Sequence, residues 1–254
     1  MISNEKYHAD DAISASMQKT MVKHGAKAYW NCYLNPDKPQ QKPTAAMLLG
    51  TLTHCAVLEP DELTKRFISV SSRTTKKGKE EAKEAEEKGL TAVTQSDMDH
   101  ALKMRDAVFS EPTAKKLLSK GVAEKSYWWE DEITGLTCKC RPDWFTEDTI
   151  VDLKTSRSGA NPKDFAKAVV NFSYHLQAKH YLNGVSEAKR FIFLVVQSEF
   201  PFDVGLWELD NEALQKGQDL SRSALYQIHQ CRLFDNWPSW CETGVQKLSL
   251  PNWA

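Results

Sequence analysis

Residues 137–155 read TCKCRPDWFTEDTIVDLKT, and how this stretch folds decides the rest. Two runs, Thr137 to Phe145 and Thr149 to Thr155, flank the turn-like Glu147-Asp148 as paired strands would. With Ser126 to Glu132 ahead of them, set off by Thr134-Gly135, they predict a three-stranded meander. Side chains alternate along a strand, so Asp152 and Lys154 share one face while Leu153 points into the core. Asp143, near the end of its own strand, reaches the same spot. Two carboxylates then stand beside one ammonium. Like charges this close repel unless a cation lies between them. Hard oxygen donors select Mg²⁺ or Mn²⁺ for that place. The lysine adds a cation that orients or deprotonates a water, or steadies charge on a phosphorane-like transition state. Phosphodiester hydrolysis is the chemistry that fits.

Working outward, Ser14 to about Trp30 predicts a helix, followed by a loop holding Pro36, Pro39 and Pro43. A second helix starts on the cap Thr44 and must end near Pro60. Within it Gly50 and His54 lie one turn apart on one face; by itself His54 reads as a hydrogen-bonded core histidine. Residues 73–88 are almost wholly polar, with Lys83/Glu87 and Glu84/Lys88 at i,i+4, which predicts a solvated helix or excursion. The alternative is a basic lip of Arg73, Lys76, Lys77 and Lys79 that touches phosphates. After the meander, Asn161-Pro162-x-Asp164 has the cap, first-turn proline and early acid of a helix start. Helical sequence runs on to Gly184, read as the residue just past a helix end. Gln177 and Tyr181 share a face there, and by themselves would be the polar edge of an amphipathic stripe. Arg190 to Gln197 predicts a buried strand, and Val204 to Leu209 another. The order predicts a mixed α/β core with further helices before and after it.

The 254 residues carry 33 Lys+Arg against 34 Asp+Glu, so a nucleic-acid binder of this balance would have to gather its cations on one surface. The longest apolar run, Phe191 to Val196, is far short of a membrane span, and no membrane association is expected. The start, MISNEK, lacks the basic and apolar stretches of a secretory signal, which favours the cytoplasm. Six scattered cysteines (Cys32, Cys55, Cys138, Cys140, Cys231, Cys241) read as reduced thiols. No repeat or linker divides the chain. We read one domain over 1–254: a mainly helical part over 1–120, a catalytic α/β core over 121–210, and a C-terminal helix and tail over 211–254.

Taken in order, G-x-x-x-H (Gly50, His54), R-P-D (Arg141 to Asp143), D-x-K (Asp152 to Lys154) and Q-x-x-x-Y (Gln177, Tyr181) resemble the RecB-type branch of the PD-(D/E)xK nuclease superfamily. ISNEKYH, GTLTHCAVLEPDE, YWWEDEITGLTCKCRPDW, YHLQAKHY and the final QKLSLPNWA are similar to RecE-type exonucleases over essentially the whole chain. The resemblance implies the superfamily's core, a mixed central sheet flanked by helices, with an N-terminal helical extension. It implies that His54, Asp143, Asp152 and the Leu153 carbonyl hold a catalytic Mg²⁺, with Mn²⁺ able to substitute. Lys154 would be the catalytic lysine, and Gln177 and Tyr181 would contact the DNA strand or hold the helix of the site. Glu124 is a candidate for orienting a water or a second metal, or an ordinary strand-flanking acid. The family implies processive digestion of the 5'-ended strand of double-stranded DNA ends, leaving 3' tails. It also implies a toroidal homotetramer and a RecT-type single-strand annealing partner. Trp237, Trp240 and Trp253 are candidate subunit anchors or core cover. Two rivals are a Cas4/AddB-like nuclease with an iron–sulfur cluster, whose closely spaced C-terminal cysteines are missing, and a non-catalytic DNA-end-binding scaffold.

Overall fold

A computed structural model describes residues 2–38, 43–240 and 244–250; Pro39, Cys241 and Trp253 lie outside them. Helices form where capping chemistry predicts. Helix α1 (Asn4–Ala9) starts on Ser3, α2 (Ala15–Tyr29) on Ser14 and α3 (Ala45–Leu58) on Thr44, each hydroxyl accepting a first-turn backbone N–H. Gly25 interrupts α2 at φ 79°, a conformation glycine adopts without a side-chain clash. Trp237, beyond the last helix, stacks on Tyr29 of α2 with centroids 5.3 Å apart, so it covers the core; Trp240 is exposed.

A short turn over Pro60–Glu62 leads from α3 into α4 (Leu63–Arg66). Strands β1 (Phe67–Val70) and β2 (Thr91–Thr94) form a parallel pair, joined by α5 (Lys76–Glu87). Four-residue strands leave too little alternation to announce themselves. Helix α5 is the polar stretch, and it is mostly solvated: Lys83 and Glu87 pair at 3.9 Å on its outer side, and Arg73 just ahead of it pairs with Asp97 at 3.2 Å. Helices α6 (Gln95–Ser110), opened by a Thr94/Asp97 capping box, and α7 (Pro112–Leu117) complete this part.

The remaining elements are β3 (Val122–Ala123), β4 (Tyr127–Glu130), β5 (Thr137–Cys140), β6 (Trp144–Thr146), β7 (Thr149–Ser156), α8 (Pro162–Asn171), α9 (Tyr174–Gly184), β8 (Arg190–Gln197), β9 (Val204–Glu208) and α10 (Asn211–Phe234). The predicted meander does not form. Its middle run divides at Arg141-Pro142-Asp143: β4 and β5 pair as a separate ribbon, while β6 joins β7 in a five-stranded sheet of order β3-β6-β7-β8-β9. Pro142 has no N–H for a ladder and fixes its own φ, so the chain changes sheets there. Asp143 therefore stands in the connection rather than in a strand.

The sheet is mixed. β7 and β8 run parallel from Thr149↔Arg190 to Ser156↔Gln197, with α8 and α9 as the crossover, and the other pairs are antiparallel. Val151, Leu153, Leu194 and Val196 face one way, onto Val57 and Leu58 of α3, Met104 and Val108 of α6 and Ala114 of α7. Ile150, Phe191, Phe193 and Val195 face the other way, onto Phe165 and Val169 of α8 and Ala178 of α9. Helix α10 packs Ala224, Leu225 and Ile228 against Met17 and Met21 of α2. Gly184 is the last residue of α9, not the one beyond it: Val185 takes the cap position, and glycine is needed because the Trp129 ring lies where a Cβ would go. Among the described residues no helix is long and apolar enough to cross a membrane.

Candidate active site

The site forms where one edge of β7 loses its neighbour. β6 runs beside β7 only as far as the Trp144↔Val151 pair, so the ladder ends before Asp152. Asp143 takes over that edge: its Oδ2 accepts the Leu153 N–H at 2.8 Å. A strand residue sends its N–H and C=O to the same side, so the Leu153 carbonyl faces this edge too. From the α3 side of the sheet, His54 Nδ1 comes within 3.5 Å of the same Asp143 oxygen.

Asp152 and Lys154 project to the opposite face, toward α9. Asp152 is 1% exposed; Gln177 Nε2 donates to its Oδ1 at 2.6 Å, and its Oδ2 meets the Lys154 ammonium as an ion pair. That Oδ2 takes no hydrogen bond of sound geometry. Lys19, on α2, donates to Gln177 Oε1 at 2.7 Å, which fixes the amide so that its NH₂ faces Asp152. The Lys19 and Lys154 ammoniums each lie 5.0 Å from the centroid of the Tyr174 ring.

Burial raises the Asp143 carboxyl above its ordinary range, with the Asp152 charge adding to it and His54 and Lys154 opposing. For Lys154, burial works against the charge, but the Asp152 and Asp143 carboxylates outweigh it and hold the ammonium above its usual value. Lys19 is pushed down to about 7 by burial and by the neighbouring Lys154 charge. Glu124 is pushed up to about 8, by burial and then by Asp143. Its N–H donates to the Asp143 carbonyl at 3.2 Å and its φ is 53°, an unusual backbone held against the site.

Two clefts meet at Glu124 and Arg141. One, of about 830 Å³, runs past Gly50 and His54; the other, of about 460 Å³, past Lys139, Gln177 and Tyr181. Both also touch Asn4 and His8 of α1. Lys139 ties that helix down by donating to the Tyr7 and Asp10 carbonyls, each at 2.6 Å, and the Arg141 guanidinium lies 4.1 Å from the Tyr7 ring centroid.

The structure thus brings His54, Asp143, Leu153, Asp152, Lys154 and Gln177 to one strand edge. Tyr181, one turn further along α9, lines the cleft beside Gln177. Lys19 and Tyr174 are additions that the sequence does not announce, since each matters only through contacts made across the fold. Among the described residues no three His, Cys, Asp or Glu side chains gather in a ligating arrangement, because each acid is turned to an internal partner. The donor chemistry nevertheless fits a hard divalent ion: one imidazole, two carboxylates, a carbonyl at the same edge, and a buried Asp152 oxygen without a hydrogen bond. Cys138 and Cys140 are buried in β5, Cys138 pushed up to about 12 by that burial, and no cysteine cluster occurs among the described residues.

Residues 14–245 match the model of a protein family described as a PDDEXK-like domain of unknown function, DUF3799. The chain belongs to that family. Its DUF3799 fold, a mixed sheet between helical layers, is that of the PD-(D/E)xK nuclease superfamily, whose members generally use divalent metal ions. The crystal structure of an exonuclease candidate from Eubacterium rectale is similar at TM-score 0.69 and 17% identity, over 99% of the DUF3799 chain and 96% of the other. At that identity the likeness speaks for the fold. A phage-related exonuclease from Haemophilus somnus aligns at TM-score 0.40 and 12% identity over 89% and 96% of the two chains, too low a score to carry an argument. No curated protein matches the chain.

Proposed function

We propose that this chain is a divalent-metal-dependent, RecE-type DNA exonuclease. What supports the reading is one juxtaposition: the Asp143 carboxylate, held by the Leu153 N–H and within 3.5 Å of His54, at the strand edge that also carries Asp152 and Lys154. His54, Asp143, Asp152 and the Leu153 carbonyl hold Mg²⁺ in this reading, with Mn²⁺ as substitute. Bound there, the ion supplies Lewis acidity and a water ready to attack phosphorus. Asp152 is aimed by Gln177, and Gln177 by Lys19. Lys154 keeps its proton between two carboxylates and steadies the negative charge that builds on the phosphoryl oxygens. Glu124, at the junction of the clefts, orients water, and Tyr181 walls the path of the strand. The substrate is the end of double-stranded DNA, digested processively on the 5'-ended strand to leave 3' tails for strand annealing with a RecT-type partner, in the cytoplasm. A homotetrameric ring lets a nearly neutral chain surround its substrate, since basic groups from each subunit converge on one channel.

Digestion of linear duplex labelled at each terminus in turn tests activity and polarity together. Mg²⁺ should allow release of label from the 5' end and chelator should stop it. Asp152→Asn and Lys154→Ala should each lower the rate by about 100-fold or more, the scale of losing a preorganised electrostatic group. Unimpaired digestion by Lys154→Ala would refute the assigned role, and rapid cutting of a closed circle would count against the need for an end. Light scattering at four subunit masses supports the ring, and at one mass rejects it.

A further inference from the structure

Beside the site, a surface cavity of about 280 Å³ is lined by Lys19, Thr20, Lys23 and His24 of α2 and by Phe172 and Tyr174 at the α8–α9 junction. Of these residues Lys19 and Tyr174 also belong to the arrangement around Asp152, and Tyr174 links the two places. Its ring lies 5.5 Å from the Phe172 ring on the outer side and 5.0 Å from the Lys154 ammonium on the inner side. Phe172 is 56% exposed and the neighbouring Val170 69%, so an aromatic face stands open to solvent at the rim of the site. Lys23 lies 5.8 Å from the Phe172 ring centroid, and it also donates to the Asn171 carbonyl, which holds it at this rim. A lone exposed aromatic needs no explanation. An exposed ring flanked by lysines, and continuous through a second ring with the lysine of the site, has the make-up of a surface for unpaired nucleotides: bases stack on rings and phosphates meet ammoniums.

We propose that Phe172, Tyr174, Lys19 and Lys23 form a shelf that holds a short run of single-stranded DNA leading to or from Lys154. This rests on the nuclease reading above and names the path of the strand. Base faces inside a duplex are covered by their neighbours, so an open ring selects unpaired nucleotides over paired ones. From the Phe172 ring the path takes a ring-to-ring step of 5.5 Å to Tyr174 and a ring-to-ammonium step of 5.0 Å to Lys154. The charge is complementary as well, the Lys23 ammonium lying 5.8 Å from the Phe172 ring centroid and the Lys154 ammonium 5.0 Å from that of Tyr174.

Fluorescence anisotropy with a labelled twelve-residue oligothymidylate in chelator, where nothing is cleaved, tests the shelf on the whole chain. Phe172→Ala should weaken binding about tenfold, roughly 1.4 kcal/mol, and Phe172→Trp should restore it. Lys23→Gln should flatten the dependence of log K on log salt by about 0.7, one phosphate contact on a single strand. Alanine binding within twofold of the wild type, failure of tryptophan to restore the loss, or an unchanged salt slope would each overturn the shelf. Wild-type cleavage of linear duplex with Mg²⁺, run alongside, separates the two readings. Intact cleavage with unchanged Phe172→Ala binding removes the shelf alone; a wild type that neither binds the oligonucleotide nor cuts the duplex removes the nuclease reading with it.

Discussion

Mild acid should loosen the helix that carries Gln177 and Tyr181, through His180 on the same helix. His180 is 1% exposed. Its Nε2 lies 3.0 Å from the Lys139 carbonyl, which only accepts, so Nε2 carries the proton. Nδ1 then accepts from Gln18 Nε2 at 2.8 Å, and Gln18 Oε1 accepts from the Ser221 hydroxyl at 2.6 Å. Burial, opposed by the Lys139 carbonyl and aided by the Lys19 charge, pushes the imidazole from 6.5 down to about 4, and a second proton on the ring would face the Gln18 NH₂. The native state therefore prefers the neutral ring, and this contribution is present in full above pH 6.5 and lost as pH falls toward 4. A tenfold change in proton affinity is worth about 1.36 kcal/mol, so the full loss is about 3 kcal/mol, of which about 2 kcal/mol falls between pH 7 and 5. Urea unfolding of the wild type and of His180→Gln at pH 7, 6 and 5 measures it. Glutamine keeps a donor and an acceptor but does not titrate, so its stability should fall by about 2 kcal/mol less over this range. His8 and His175, whose pKa values burial also lowers, are common to both proteins and cancel. Parallel decline of the two proteins would refute the reasoning.

Two further substitutions probe how the site is braced. Gly184→Ala places a methyl group against the Trp129 ring and should cost about 1–3 kcal/mol by overpacking, read as a lower urea midpoint with altered tryptophan fluorescence; an unchanged midpoint would contradict the close approach. Lys139→Met leaves the Tyr7 and Asp10 carbonyls without their donor, at a cost of about 1–3 kcal/mol, and should speed amide hydrogen exchange across residues 4–9. Unaltered exchange in those residues would mean that α1 is held by other contacts.

Local chemistry was readable along the chain, and through-space chemistry less so. Ser14, Thr44 and Asn161 cap helices because a hydroxyl or amide beside the first turn acts within three residues. The alternation that sets Asp152 and Lys154 on one face is equally local. The change of sheets at Pro142 is legible only in part: a proline has no N–H for a ladder and so marks a break, but which partner each half takes is decided by the tertiary fold. Lys19 is the extreme case: 158 residues separate it from Gln177, and an isolated lysine on a helix carries no mark of such a partner. His54 lay between these cases, since its role depends on an acid brought to it by another segment.

Asp143 stands just ahead of one arm of a hairpin and the Leu153 amide on the other arm, and the loop between them is the dipeptide Glu147-Asp148 after the Thr146↔Thr149 pair. That loop acts as a ruler. An inserted residue there would slide one arm past the other and carry the first acid away from the amide that aims it, whereas lengthening the open turn at Gly89, whose missing Cβ faces no neighbour, would leave the ruler untouched. Length variation among descendants of this protein should therefore collect in peripheral turns and spare a two-residue gauge at its centre.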